Sequence, residues 1–251
     1  MVTGIVLAGR RNHGALAAGA PTVPWEALIP IAGRPMAVHV IAALAEVCAE
    51  GGVFVAGPAD LAGSGAVVVP PGERVTVSLR AALDAAGLPP GAPRDLVIAT
   101  GDAPLLTAAA IRHLLEQARH RHLALAYPIV RRADCEAQFP GVRRTYVRFR
   151  DGTFTGGNCF YLRGDLVSRA LALLEGFYAD RKRPLRLAGL LGWRLLVGLW
   201  LGTARLADAE AAASRLLGQA VGAVVADDPR IAFDVDRPED LAVVRAVLEQ
   251  R

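Results

Sequence analysis

A chain of 251 residues, 53% of them hydrophobic, is long enough to bury a sizeable core as one large α/β domain. No secretory leader pattern opens it, and its most apolar stretch, 185–206, is interrupted by Arg186, Arg194 and Arg205, leaving runs shorter than the ~20 residues that span a bilayer. The net charge of +4 is mild and its basic residues are scattered, which argues against a nucleic-acid partner, and three widely spaced cysteines (Cys48, Cys135, Cys159) match neither a disulfide framework nor a zinc site, so a reduced, cytoplasmic protein is expected.

In chain order, apolar runs of strand length alternate with Ala/Leu/Arg segments of helix length, the pattern of a sheet covered on both faces. Strands are predicted at 2–8, 52–56, 66–69, 95–99, 122–130, 143–149, 153–162, 220–226 and 231–235. Helices are predicted at 35–49, 75–86, 107–120, 164–175, 181–191, 207–217 and 237–249. Asp151-Gly152 between two alternating segments signals a hairpin, so the sheet should be mixed, though mainly parallel. No internal repeat is visible, and the turn-rich Pro89–Pro93 stretch links elements of one domain, 1–251.

Four stretches carry chemistry. The first strand runs through Leu7-Ala8 into Gly9, Arg10 and Arg11, where small residues let backbone N–H groups approach an anion and the arginines add charge-assisted bonds. All but one of the 28 basic residues are arginine, the planar fork suited to phosphate; the exception is Lys182. The strand at 95–99 ends in Thr100-Gly101-Asp102, and a carboxylate beyond the carboxyl end of a strand lies where open α/β sheets bind ligands. Such a carboxylate suits Mg²⁺, which takes one or two acids plus substrate phosphates. Thr107 is the better N-cap for the helix that follows.

Thr155-Gly156-Gly157-Asn158 falls inside a predicted strand, where paired glycines mark either a bulge or the close approach of a ligand. Near the end, Phe233-Asp234-Val235-Asp236-Arg237-Pro238-Glu239 holds two acids. Asp236 and Glu239 read as a capping box, which leaves Asp234 as the second metal ligand. The five histidines have no metal-ligand spacing, and no nucleophile elbow is present.

Together these stretches resemble the MobA-like nucleotidyltransferase superfamily. Leu7-Ala8-Gly9 is similar to its opening loop, Ala27–Met36 to its G-x-P segment, Gly101-Asp102-Ala103-Pro104 to its metal aspartate, and Phe233–Leu241 to its closing D-x-D-x-P-E-D-L. The resemblance implies a three-layer αβα, Rossmann-like (GT-A-like) fold. It also implies Mg²⁺-dependent transfer of a nucleotidyl group from a nucleoside triphosphate to a small phosphorylated or alcohol acceptor, with release of pyrophosphate. In that reading Asp102 and Asp234 hold Mg²⁺, and Leu7, Ala8, Gly9 and Gly101 bind the nucleotide with Gly72 and Ser78. Arg10 and Arg11 act in catalysis with Asp102, and Gly156, Gly157 and Asn158 face the acceptor.

Two positions depart from the family pattern: Arg10 follows Gly9 where a second glycine is usual, and Glu26 stands where the family has a lysine. A carboxylate there repels a transferring phosphoryl group, so Arg10 or Arg11 must supply the positive charge, or the chain binds nucleotide without turnover. A GT-A glycosyltransferase using a nucleotide sugar is the other alternative; its D-x-D fits the lone Asp102 poorly. The apolar insertion at about 176–206 admits three uses. It can cover the sheet as a helix pair or form a homodimer surface. It can also lie in a membrane interface through 181–201, bringing a lipid-linked phosphate to the site. Covering the sheet or a second copy is the favoured reading, because interiors use most apolar helices.

Overall fold

The computed structural model describes residues 1–89, 91–180 and 192–249. Its strands are β1 (Val2–Leu7), β2 (Pro30–Ile31), β3 (Arg34–Pro35), β4 (Val53–Ala56), β5 (Val67–Val69), β6 (Asp95–Thr100), β7 (Leu125–Arg131), β8 (Val147–Phe149), β9 (Gly152–Gly156), β10 (Cys159–Leu162) and β11 (Val221–Val225). Its helices are α1 (Ala15–Gly19), α2 (Met36–Ala45), α3 (Val75–Ala85), α4 (Ala108–His120), α5 (Arg132–Gln138), α6 (Val167–Asp180), α7 (Trp193–Leu201), α8 (Leu206–Leu217) and α9 (Pro238–Glu249).

Nine of these strands form one sheet in the order β5-β4-β1-β6-β10-β7-β9-β8, with β11 paired along the other edge of β7. The pairs β5–β4, β4–β1, β1–β6 and β7–β11 are parallel, whereas β10 and β9 run antiparallel to their neighbours. Side-chain alternation explains why the sheet is covered twice. On β1 and β6, Val6, Val97 and Ala99 point to a core shared with Val40 and Leu44 of α2 and Ile111 and Leu114 of α4. Ile5, Leu96 and Ile98 point to the opposite core, with Leu79 and Leu83 of α3 and Leu171 of α6. The architecture is therefore a three-layer α/β sandwich with a mixed, mainly parallel sheet.

The predicted strand 153–162 is two strands, broken at Gly157-Asn158. Tyr161 pairs with Ala126 and Gly156 with Ile129, so the stretch between them is longer on this side than the Tyr127-Pro128 pair it faces on β7. Pro128 lies in the gap and lacks a donor, while its carbonyl accepts the Gly157 N–H at 2.8 Å. The Asn158 N–H instead reaches the carbonyl of Ile231 at 2.9 Å.

Residues 231–235 are not a strand. Pro229–Ala232 form a 3₁₀ turn, and Phe233 and Val235 are buried beneath the site without a ladder partner. Their apolar run reflects burial at the end of the sheet rather than membership of it. The strand predicted at 143–149 shortens to Val147–Phe149, and the hairpin turns over Arg150-Asp151, one residue earlier than the Asp-Gly signal. The mixed sequences of α1 and α5 gave no period to read. The helix predicted at 181–191 lies outside the described residues.

Two glycines of the β9–β10 region offer a direct comparison. A Cβ on Gly164 would sit 2.1 and 2.3 Å from the backbone carbonyls of Ala92 and Arg94, whereas one on Gly156 would meet the hydroxyl of half-exposed Tyr127 at 2.1 Å. Gly164→Ala should lower unfolding free energy by about 2–3 kcal/mol and Gly156→Ala by less than about 1 kcal/mol, because only the tyrosine can swing aside. Urea denaturation of both variants checks this.

Candidate active site

Because β1, β4, β5 and β6 run parallel, their carboxyl ends open on one crevice. The turns there pack so closely that only small residues fit. A Cβ on Gly9 would lie 2.4 Å from the side chain of Pro71, and one on Gly101 would lie 2.9 Å from Ala8 Cβ. The Ala8 N–H is committed to the carbonyl of Ala56 at 2.8 Å, and the Leu7 carbonyl accepts the Gly101 N–H at 2.9 Å. Ala8 is thus a packed element of the strand end, and its N–H is not among the groups that can grip a phosphate. Ser78 is buried on α3, and its Oγ accepts the Gly72 N–H at 3.0 Å, bracing the Pro70-Pro71-Gly72 turn against Gly9.

Arg10 and Arg11 diverge. The Arg11 guanidinium stacks on the Trp25 ring at 3.7 Å. Arg10 turns into the crevice, where its Nε is 3.2 Å from Glu26, and one terminal nitrogen is 2.8 Å from Asp236 and 3.8 Å from Asp102. Glu26 is buried, and burial pushes its carboxyl up to about 7 against the opposing pull of Arg10.

The chain brings Asp102 and Asp234 together from opposite halves of the sequence. The Val235 N–H donates to the Asp102 carbonyl at 2.9 Å, which draws the 233–236 segment across the end of β6. Burial raises the Asp102 carboxyl above its ordinary value, with Thr100 and Arg10 pulling it down. Asp234 is raised as well, by burial first and by Asp102 and Asp236, against the lowering influence of Arg144. The Arg144 guanidinium pairs with the Asp234 carboxylate, donates to its carbonyl at 3.1 Å, and stacks on Phe233.

Asp236 does not cap the last helix. The buried Asp240 accepts the N–H groups of Asp236 and Arg237 at 3.2 and 3.0 Å, and Asp236 is left to pair with Arg10. The carboxylate three residues into the helix reaches back, so the roles assigned from the D-x-x-E pattern are displaced by one acid. Thr107 does cap α4, accepting the Ala110 N–H.

An open cavity of about 660 Å³ leads away from Asp234 and Asp236. Gly156, Gly157 and Asn158 line it, together with Tyr127, Arg143 and Arg237. Arg144, which is central to the crevice, escaped sequence reasoning, and Asp236 was read as a helix cap rather than as a partner of Arg10. Arg144 sits in an irregular segment with no local signal, and its partner is 90 residues away.

Among the described residues no group of three or more His, Cys, Asp or Glu side chains forms a ready metal cage. The donor set nevertheless fits a divalent cation shared with a ligand. The Oδ1 atom of Asp102 is buried without a hydrogen-bond partner, as is the Nδ2 atom of Asn158. An orphaned carboxylate oxygen beside a second acid matches the hard, oxygen-seeking chemistry of Mg²⁺.

The profile of the MobA-like NTP transferase domain matches residues 5–187, and the chain belongs to that family of nucleotidyltransferases. Among solved structures, a hypothetical transferase from Thermus thermophilus is 40% identical with a TM-score of 0.82, over 95% of this chain and 98% of its own. The fold is also shared with 2-C-methyl-D-erythritol 4-phosphate cytidylyltransferase from Thermus thermophilus, at 18% identity and TM-score 0.56 over 98% of each chain. It is shared as well with CMP:2-keto-3-deoxy-manno-octonic acid synthetase complexed with CTP, at 18% identity and TM-score 0.60 over 100% of this chain and 99% of the other. No match was found among curated proteins.

The raised carboxyl of Glu26 makes stability pH-dependent. Between its ordinary 4.5 and about 7 the folded chain holds a proton that the unfolded chain releases, so this contribution is present at low pH and lost as pH rises. Between pH 5 and pH 7.5 the loss should be about 2 kcal/mol, and Glu26→Gln should abolish that part of the slope. Urea titrations of both proteins at pH 5 and 7.5 measure it.

Proposed function

We propose that the chain is a Mg²⁺-dependent nucleotidyltransferase that moves a nucleoside monophosphate from a nucleoside triphosphate to a phosphorylated acceptor, releasing pyrophosphate. The observation that carries this reading is the meeting of Asp102 and Asp234 at the mouth of a glycine-edged crevice, with the Asp102 Oδ1 atom buried and unpartnered. Asp102 and Asp234 would hold the cation, which when bound neutralises charge on the transferring phosphate.

The chain's own groups have separable tasks. Gly9 and Gly101 let the strand-end turns pack against Pro71 and Ala8, which shapes the edge that a triphosphate would approach. Arg10 offers a guanidinium to the phosphates, and Glu26 acts as a positioning residue that orients it from below. In this reading the Arg10–Glu26 pair takes the place of the family lysine: the charge is carried by the loop, and the buried carboxylate aims it. When a triphosphate enters, Arg10 exchanges Asp236 for a phosphate oxygen, a bond of the charge-assisted kind. Arg144 holds the Asp234 segment in place through its carboxylate and carbonyl together. In-line displacement needs little further chemistry, because positioning and charge neutralisation supply most of the acceleration.

Thermal stabilisation by each ribonucleoside triphosphate with Mg²⁺, followed by pyrophosphate release across an acceptor panel, tests the reading. Asp102→Asn should reduce turnover by about 10²–10³-fold, within the range for losing one preorganised electrostatic group. Arg10→Ala should weaken triphosphate binding by at least about tenfold, the loss of one charge-assisted contact. Stabilisation without turnover by any acceptor would instead identify a nucleotide-binding protein that has lost transfer.

A further inference from the structure

The cavity beyond Asp234 changes character along its length. Near the acids it is polar, with Tyr127, Asn158 and the exposed guanidinium groups of Arg143 and Arg237. Farther on the wall is mainly hydrocarbon, from Phe149 and Phe154 of the hairpin, Leu206, Ala209 and Ala213 of α8, and Val221 of β11, with Thr155 the hydroxyl beside Phe154. The one carboxylate on that wall, Glu210, is already occupied, accepting the Ala223 N–H at 2.7 Å and an Arg121 guanidinium at 2.9 Å. A hydroxyl-rich acceptor lying there would leave its hydroxyls without partners, whereas a hydrocarbon chain would find matching surface.

The apolar wall is backed by a helix of the same character. Phe149 and Ala209 pack with Leu195 and Leu199 of α7 as well as lining the cavity. The outer side of α7 leaves Trp193 59%, Trp200 84% and Leu201 57% exposed, beside Arg194. Tryptophans at that exposure next to a cation suit the headgroup region of a bilayer, the source of amphiphilic substrates.

From this arrangement, and resting on the transferase reading above, we infer that the acceptor is an amphiphile: a phosphate monoester on a hydrocarbon chain. Its phosphate lies at Arg143 and Arg237 beside Asp234, and its chain runs along the wall formed by α8 and the β8–β9 hairpin. A non-bridging oxygen of the monoester attacks the α-phosphorus of the nucleotide and forms the new P–O bond. The bond from that phosphorus to the oxygen bridging to the β-phosphate breaks, and pyrophosphate leaves with the electron pair. At pH 7 the attacking oxygen is already largely deprotonated, so no general base is required.

The experiment is a chain-length series of butyl, hexyl and octyl phosphate below micellar concentration, set against glycerol and sugar phosphates. Pyrophosphate release and calorimetric binding of each ester are measured in parallel, and a long-chain phosphate held in phosphatidylcholine vesicles provides a bilayer arm. The kcat/KM value should rise about two- to fourfold per methylene, the range for burying hydrocarbon. Ala213→Leu, which fills the wall, should remove at least tenfold of the octyl advantage over butyl phosphate, with thermal stabilisation by nucleotide reporting that the variant is folded. Ala209→Leu should do the same, and Ala211→Leu, at an exposed position of α8, should change nothing.

A flat chain-length profile, or preference for a sugar phosphate, would overturn the inference and leave the transferase reading standing. Chain-length-dependent binding that Ala213→Leu abolishes, with no pyrophosphate released from any triphosphate, would retain the amphiphile site and reject the transferase. Turnover of the soluble ester but not of the vesicle-held one would keep the amphiphile and exclude delivery from a bilayer.

Discussion

The hydrogen bond from the Val235 N–H to the Asp102 carbonyl is the contact on which the crevice depends. Parallel strands bring Asp102 to the carboxyl edge of the sheet, but nothing in that geometry supplies a second acid. The 233–236 segment does so because it is drawn across the edge by its own backbone rather than by joining the ladder. Phe233 and Val235 are buried below while Asp234 and Asp236 remain above, so alternation along a short extended stretch sorts apolar from acidic side chains.

Electrostatic balance follows from that placement. Glu26, Asp102, Asp234 and Asp236 crowd one end of the sheet, and Arg10 and Arg144 lie among them. The two arginines hold different positions in this field. Arg144 is mostly buried and fixes backbone as well as carboxylate, so it is structural to the segment. Arg10 is largely exposed, with its Nε at Glu26 and one terminal nitrogen near Asp236 and Asp102, so its outer end can change partners. Burial raises Glu26, Asp102 and Asp234, and a deficit of positive charge in such a place favours the entry of a cation together with an anionic ligand.

The layered fold was legible because buried parallel strands are nearly continuous apolar runs, and β1, β4 and β6 stand out that way between helical segments. Asp102 was legible for the same reason: an acid at the end of such a run has one direction to go. The second acidic stretch was legible only in part. Its spacing identified Asp234 and Asp236 as a pair but assigned the helix cap to Asp236 and Glu239, whereas Asp240 reaches back, because the sequence does not say which carboxylate the helix end folds over. The apolar letters of 231–235 could not distinguish a strand from a buried turn. Long-range partners such as Arg144 for Asp234, or Arg10 for Glu26, leave no trace in local pattern. Glu26 itself looked like the loss of a charge until the structure showed it under an arginine.

The order in which the crevice is assembled has a consequence for biosynthesis. β1, β4, β5 and β6, with α2 and α3, come from the first hundred residues and pair with one another as parallel neighbours. Asp234, Asp236 and the Asp240 side chain that seats the last helix are translated more than a hundred residues later. A nascent chain on the ribosome can therefore shape the parallel edge of the crevice long before it owns Asp234 and Asp236. A chain cut short before the final helix would keep much of its sheet and both Asp234 and Asp236, but not the Asp240 side chain that seats the segment carrying them.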